Sequence, residues 1–121
     1  MLIGEIAQRA AIRPSAVRYY ERLGLLPAAD RVNGRRRYTE ATLHHLRVIR
    51  FARVAGFSLR EIRELTAGRP YSKRMRELAK HKIEELDGTI ERARTMQSLL
   101  RSALRCNCLS IEECGRKMRA R

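Results

Sequence analysis

Three cysteines stand in this chain of 121 residues, all within its last sixteen, as CysAsnCysLeuSerIleGluGluCys. Cysteines used as core filler have no reason to cluster. Thiolates do, because they are ligands for soft metal ions and nucleophiles in redox chemistry. Cys106 and Cys108 are one residue apart, and Cys114 returns after a short loop or turn, so the three can converge on one soft ion as a three-thiolate site. Arg105, Arg116 and Lys117 favour the thiolate form, and Glu112 and Glu113 oppose it. The same thiols can instead form a disulfide switch, or merely shape a structural loop whose effector binds elsewhere. His44, His45 and His81 have no ligand spacing with the cysteines and read as surface or packing residues.

A second concentration of chemistry lies between Pro14 and Tyr38. The run PSAVRYYERLGLL predicts a helix, with Pro14 in its first turn, where a missing N–H costs nothing. Val17, Tyr20 and Leu23 form its inward face, leaving Ser15, Arg18 and Tyr19 exposed. Arg18 is suited to base readout, since a guanidinium pairs bidentately with guanine in the major groove. Gly24 ends the helix and Pro27 prevents its continuation. Asn33 and Gly34 then form a two-residue hairpin turn crowded by Arg31, Arg35, Arg36 and Arg37, a density suited to holding phosphates.

These residues need elements to position them. Leu2, Ile3, Ile6, Ala7 and Ala10 lie on one stripe and predict a short first helix that braces the second across a tight turn, a helix-turn-helix arrangement. A third helix over Thr42 to Val54 carries Leu43, Leu46, Ile49 and Phe51 and breaks at Gly56. Ser58, with Glu61 three residues on, is a capping-box start for a fourth helix that carries Leu59, Ile62 and Leu65. GlyArgPro at 68–70 stops it. From Ser72 onward Ala79, Ile83, Leu86, Ile90, Ala93, Leu100 and Leu104 alternate steps of four and three, with Gln97 filling one gap, which are coiled-coil positions. Gly88 falls on the outer face. Some 33 helical residues extend roughly 50 Å, longer than the small domain they would have to cover, so a second chain is the expected partner. Gly115 to Arg121 read as a frayed basic tail.

Composition is consistent with a nucleic-acid partner. Lys plus Arg number 27 against 13 Asp plus Glu, a formal charge of +14. Residues 1–70 carry +8 and residues 71–121 carry +6, so the basicity is general and favours polyanions of any kind. No apolar run spans a bilayer and no secretory signal pattern opens the chain, which makes a cytoplasmic protein without a membrane partner the expectation. There is no glycine-rich phosphate loop and no catalytic triad on a plausible scaffold, and CysXCys lacks the two-residue gap of thioredoxin-type motifs. The chain does not read as an enzyme.

The stretch IGEIAQRAAIRPSAVRYYERLGLLPAADRVNGRRRYTEATLHHLRVIRFARVAGFSLREIREL resembles the winged-helix DNA-binding domain of MerR-family transcription regulators. The likeness implies a mainly α fold: a winged helix-turn-helix domain with a small β-hairpin wing at 1–70, a long antiparallel coiled-coil dimerisation helix at 71–105, and an effector loop with a basic tail at 106–121. It places Arg18 and Tyr19 on the recognition helix, and Tyr20, Arg36 and Tyr38 at positions that contact, or support contacts to, the DNA backbone. Arg35 stands where the family usually has tyrosine, which implies an extra phosphate contact in place of the wing's usual aromatic contact. The cysteine spacing is similar to the C-terminal loop of the SoxR-type redox regulators of that family, which hold a two-iron cluster. Ala103 occupies the place of their further cysteine, so an iron–sulfur cluster would need a foreign ligand and ranks below a soft metal ion. Ser72 matches the position where metal-sensing members place cysteine or serine at the start of the dimer helix. The implied function is a homodimer on an inverted-repeat promoter site, activating RNA polymerase by distorting the DNA when a metal or redox effector arrives. A DNA-binding regulator with no cysteine-borne effector, or an architectural DNA-binding protein, is the alternative.

Overall fold

The computed structural model describes residues 1–67 and 70–118. In chain order the elements are α1 (Ile3–Ala10), α2 (Pro14–Arg22), β1 (Asp30–Val32), β2 (Arg35–Arg37), α3 (Glu40–Val54), α4 (Leu59–Ala67), α5 (Tyr71–Leu104) and α6 (Ile111–Lys117). Two compact units result, Met1–Lys82 and Ile83–Arg121.

In the first unit α1 packs on both α2 and α3, and α4 packs on α3. The turn between α1 and α2 runs through Ala11, held in the left-handed region at φ 58°, with the Ile12 N–H returning to the Ala7 carbonyl at 3.0 Å. That bond closes α1 in the manner of a glycine-terminated helix, although alanine bears the conformational cost. The hairpin pairs Asp30 with Arg37, Arg31 with Arg36 and Val32 with Arg35. Asn33 and Gly34 both take positive φ (53° and 77°), as a type I′ turn requires.

Ile6, Val17, Leu43, Leu46, Ile49 and Ile62 are fully buried, each contributing about 1.5–3 kcal/mol relative to exposure. Phe51 is not among them. It is 60% exposed, while Ala52 is buried, because Leu43, Leu46, Ile49 and Ala52 advance by three along one face and residue 51 falls on another. Gly56, at φ 90°, then lets the Phe57 N–H reach the Ala52 carbonyl at 2.8 Å and ends α3.

Ser58 and Glu61 form the expected capping box of α4: the Glu61 N–H donates to Ser58 Oγ at 3.1 Å and the Ser58 N–H to Glu61 Oε1 at 2.8 Å. Glu61 also ion-pairs with Lys82 Nζ at 3.0 Å, and Lys82 lies 6.0 Å from the centre of the buried Phe57 ring. The first turns of α5 therefore belong to this unit, and Met75, Leu78 and Ala79 pack against its core. Ala79, expected in the coiled-coil seam, is occupied here instead. The predicted stop at Gly68 and Arg69 lies outside the described residues.

One carboxylate fastens the wing to α2. Glu21 Oε2 accepts from the Tyr38 hydroxyl at 2.9 Å and faces Arg36 Nη1 at 3.4 Å, while the Tyr38 backbone N–H donates to the Met1 carbonyl at 2.8 Å. Burial raises the pKa of the Tyr38 phenol, and the bond to Glu21 adds to the shift.

The second unit holds the rest of α5 and α6. Ile83, Leu86, Ile90, Leu100 and Leu104 are all exposed. The expected frayed tail is corrected from Gly115 to Lys117, which complete α6. Residues beyond Met118 lie outside the described residues.

Two outcomes follow. Tyr38→Phe removes a hydrogen bond to a charged acceptor and should lower stability by about 1.5–3 kcal/mol, measured by urea unfolding; an unchanged midpoint would show that the hydroxyl does not anchor the wing. The Ser58 amide and hydroxyl, with Lys82, depress the pKa of Glu61 against its desolvation. Its contribution is therefore complete above the unfolded glutamate pKa and lost as pH falls through the folded one. Thermal unfolding against pH should show Glu61→Gln converging on the wild type in acid and falling below it at neutral pH.

Candidate functional site

Two regions carry the chemistry read from the sequence, one in each unit. In the first, α2 presents Ser15, Arg18 and Tyr19 to solvent. Tyr19 and Tyr20 are in tilted contact with ring centres 5.8 Å apart, and the Arg22 guanidinium lies 5.9 Å from the Tyr19 ring. Tyr20 is half-buried against the core and orients its neighbour. Arg35, Arg36 and Arg37 are exposed on the hairpin. A groove of about 620 Å³ brings Arg18 together with Arg35 and Arg36, its other walls including Leu2, Ile3 and Glu5. Helix and wing thus share one cationic concavity.

The register adds an electrostatic bias. Arg31 stands directly opposite Arg36, and like charges across a hairpin destabilise it. Glu21 offsets part of that repulsion, and a phosphate in the groove would offset more. Tyr38, expected to contact the DNA backbone or to support contacts to it, is 3% exposed and donates its hydroxyl to Glu21. Glu21 itself was missed in the sequence, because a glutamate on a basic helix carries no local signal of a partner seventeen residues away. Arg63, also missed, donates to the Leu23 carbonyl at 2.8 Å and so satisfies the C-terminal end of α2.

The cysteine region is built from two helix ends. Past Leu104 the chain tightens, with the Cys106 N–H donating to the Ala103 carbonyl at 3.1 Å. It then turns so that the Cys108 N–H points at Cys106 Sγ, 3.4 Å away. Ser110 caps α6, accepting from the Glu113 N–H at 3.1 Å, while Glu113 Oε2 accepts from the Leu109 N–H at 3.1 Å. Cys114 falls inside that helix rather than in a loop. The signal was present, since Ser110 and Glu113 have capping-box spacing.

The outcome is a triad. The three sulfurs lie within 4.8 Å of one another, and among the described residues they form the one such group of three or more potential metal ligands. All three are free thiols. The Cys108 amide and thiol lower the pKa of Cys106, with smaller help from Cys114 and Lys117. The hydrogen bond to Cys106 raises that of Cys108. Cys106 therefore ionises more readily than Cys108. Lys117, which helps lower the pKa of Cys106, is held 3.4 Å from Glu113 Oε1. Three convergent sulfurs beside an ammonium are suited to a thiophilic ion of low coordination number. His44 and His45 lie in the first unit, with His45 Nδ1 2.9 Å from the Ala41 carbonyl.

Comparison with known proteins shows the family. Residues 1–69 match the family model described as MerR HTH family regulatory protein, and residues 43–103 match the model described as MerR, DNA binding. The transcriptional regulator ZntR of Escherichia coli K12 is 39% identical over 104 residues, covering 81% of this chain and 74% of its own. The mercuric resistance operon regulatory protein of Serratia marcescens is 33% identical over 103 residues, covering 83% and 72%. The crystal structure of the transcription regulator PbrR691 from Ralstonia metallidurans CH34, in complex with lead(II), superposes with a TM-score of 0.76 at 32% identity, covering 95% of this chain and 94% of that one. No helix among the described residues is long and apolar enough to cross a membrane. With a helix-turn-helix domain, a basic wing and a long helix whose apolar stripe is exposed among the described residues, this protein belongs to the MerR family of DNA-binding transcriptional regulators.

Proposed function

We propose that the chain is a metal-responsive regulator whose effector is a soft ion held by Cys106, Cys108 and Cys114, and that it acts in the cytoplasm as an antiparallel α5-paired homodimer on an inverted-repeat promoter. The observation that carries the effector assignment is the convergence of three sulfurs within 4.8 Å. The mercuric resistance regulator and the lead(II)-bound PbrR691 support it as relatives. A bound ion would supply Lewis acidity that replaces the thiol protons and ties the end of α5 to α6. A four-ligand iron–sulfur cluster is less well supported, because Ala103 contributes no ligand and no other His, Cys, Asp or Glu among the described residues joins the group.

On the DNA side, Ser15, Arg18 and Tyr19 read or line the major groove, and Arg35, Arg36 and Arg37 hold phosphates beside it. Tyr20 and Tyr38 position them. Pairing of α5 across a two-fold axis places two recognition helices on two half-sites. The ion shifts the dimer between two arrangements on the same operator, and the deformed promoter is the form that RNA polymerase uses.

Arg18→Ala should cost about 1–3 kcal/mol on the specific operator and little on random DNA in binding assays at fixed salt. Equal losses on both would reassign Arg18 to a phosphate. For the effector, elemental analysis of protein purified anaerobically without chelator should find about one thiolate-bound ion per subunit, with a thiolate charge-transfer band in the ultraviolet. The triple Cys106, Cys108 and Cys114 to Ser variant should lack both ion and band. Protein that takes up no soft ion, with a spectrum equal to that of the variant, would transfer the input to a thiol switch or to another site.

A further inference from the structure

The thiol triad opens into a cavity much larger than a bare ion fills. Cys106, Cys108 and Cys114 line a concavity of about 940 Å³, whose remaining walls are Leu99, Ser102, Ala103, Lys117 and Met118. That volume is in the range of small-molecule sites, roughly 300–1,000 Å³, and its walls are mostly aliphatic or thioether. A divalent ion on three thiolates is a net anion with no use for such walls. They suit a neutral adduct that carries an apolar group. Resting on the thiol-site reading above, we propose that the ligands of this site include trivalent arsenicals bearing one hydrophobic substituent, the arsenic bonded to two of the three sulfurs and the organic group lodged in the cavity.

The chemistry balances without an oxidant. A monosubstituted arsenic(III) oxide reacts with two thiols to form two As–S bonds. The two S–H protons leave with the oxide oxygen as one water, and arsenic stays trivalent. The product is three-coordinate, with two sulfurs and one carbon, and carries no charge. Bare arsenite, by contrast, uses all three sulfurs and releases three waters. The third cysteine is therefore required for the bare ion and dispensable for the substituted one, while the cavity wall matters only to the latter.

Both halves are tested on reduced full-length protein, titrated with arsenite, methylarsenite and phenylarsine oxide, with calorimetry for affinity and native mass spectrometry for stoichiometry. Phenyl and methyl compounds make the same two bonds, so their affinity ratio isolates the cavity. It should be about tenfold or more in the wild type, and should fall toward one in Ala103→Phe and Leu99→Trp, whose added bulk occupies the concavity without touching a sulfur. Both positions are exposed, so the variants should fold, which circular dichroism checks. Cys108→Ser should keep phenylarsine binding and lose most arsenite affinity. A phenyl to methyl ratio near one in the wild type, or one that the wall variants leave unchanged, would overturn this inference and leave the metal-site reading standing, as expected if a second chain fills the cavity. Wild-type protein that binds none of the three compounds would overturn both.

Discussion

Among the described residues, full hydrophobic burial ends at Leu65, and much of the architecture follows from that limit. The buried apolar residues among those described run from Ile6 to Leu65. Beyond them comes a helix of 34 residues, of which only the first turns, through Met75, Leu78 and Ala79, find a core to pack on. From Ile83 to Leu104 the apolar stripe of α5 is open to water. A helix of this length is not maintained by propensity alone, since most helical stability in proteins comes from packing an amphipathic face. Each exposed Leu or Ile on the stripe forgoes roughly 1.5–3 kcal/mol of burial. The stripe therefore demands a second helix of matching pattern, which a second copy of the chain supplies. Dimerisation in this family is thus written into where the core stops.

Within the DNA-binding unit a single acidic side chain reconciles two demands. A surface that grips phosphates must concentrate arginines, and concentrated arginines repel each other and the elements that carry them. Glu21 lies on α2, accepts from Tyr38 and faces Arg36, so helix and wing are joined through a carboxylate that also neutralises one of the crowded charges. With its side chain 18% exposed, Glu21 is better shielded from solvent than a surface ion pair, whose contribution is usually small. The remaining positive charge stays directed at the groove shared by Arg18, Arg35 and Arg36.

Much of this was legible in the residues because it depends on local rules. The Asn33–Gly34 turn, the Ser58–Glu61 capping box, Pro14 in the first turn of α2 and Gly56 after α3 are each set by backbone chemistry within a few positions, and each forms as expected. What escaped depends on distance or on competition between partners. The bonds of Glu21 to Tyr38 and of Arg63 to Leu23 join residues 17 and 40 apart, and nothing in their neighbours announces them. Ala79 fits the coiled-coil repeat and yet packs on the first core, because the repeat says where apolar residues lie and not what covers them. Phe51 is the converse case, a large apolar residue excluded by helical phase. The cysteines were legible as a cluster, but their convergence required α6, whose cap at Ser110 brings Cys114 back toward Cys106.

A ligand on the proposed thiol site would act on a large assembly through a difference in affinity. A ligand shifts an equilibrium only by the difference in its affinity for the two states. Moving a population from one part in a hundred to ninety-nine takes about 5.5 kcal/mol. The three sulfurs come from three different settings: Cys106 just beyond the end of α5, Cys108 in the turn, and Cys114 within α6. Any ligand bonded to at least two of them closes a loop between segments that only a capped turn otherwise connects, and it binds weakly to every arrangement in which those sulfurs are apart. Thiolate–metal bonds are strong enough for structural zinc to contribute about 10–16 kcal/mol to folding small domains, so even part of such an energy exceeds what the shift requires. Because α5 is one continuous helix from Tyr71 to Leu104, a ligand bonded just beyond its C-terminal end would act on the same element whose first turns pack on the DNA-binding core.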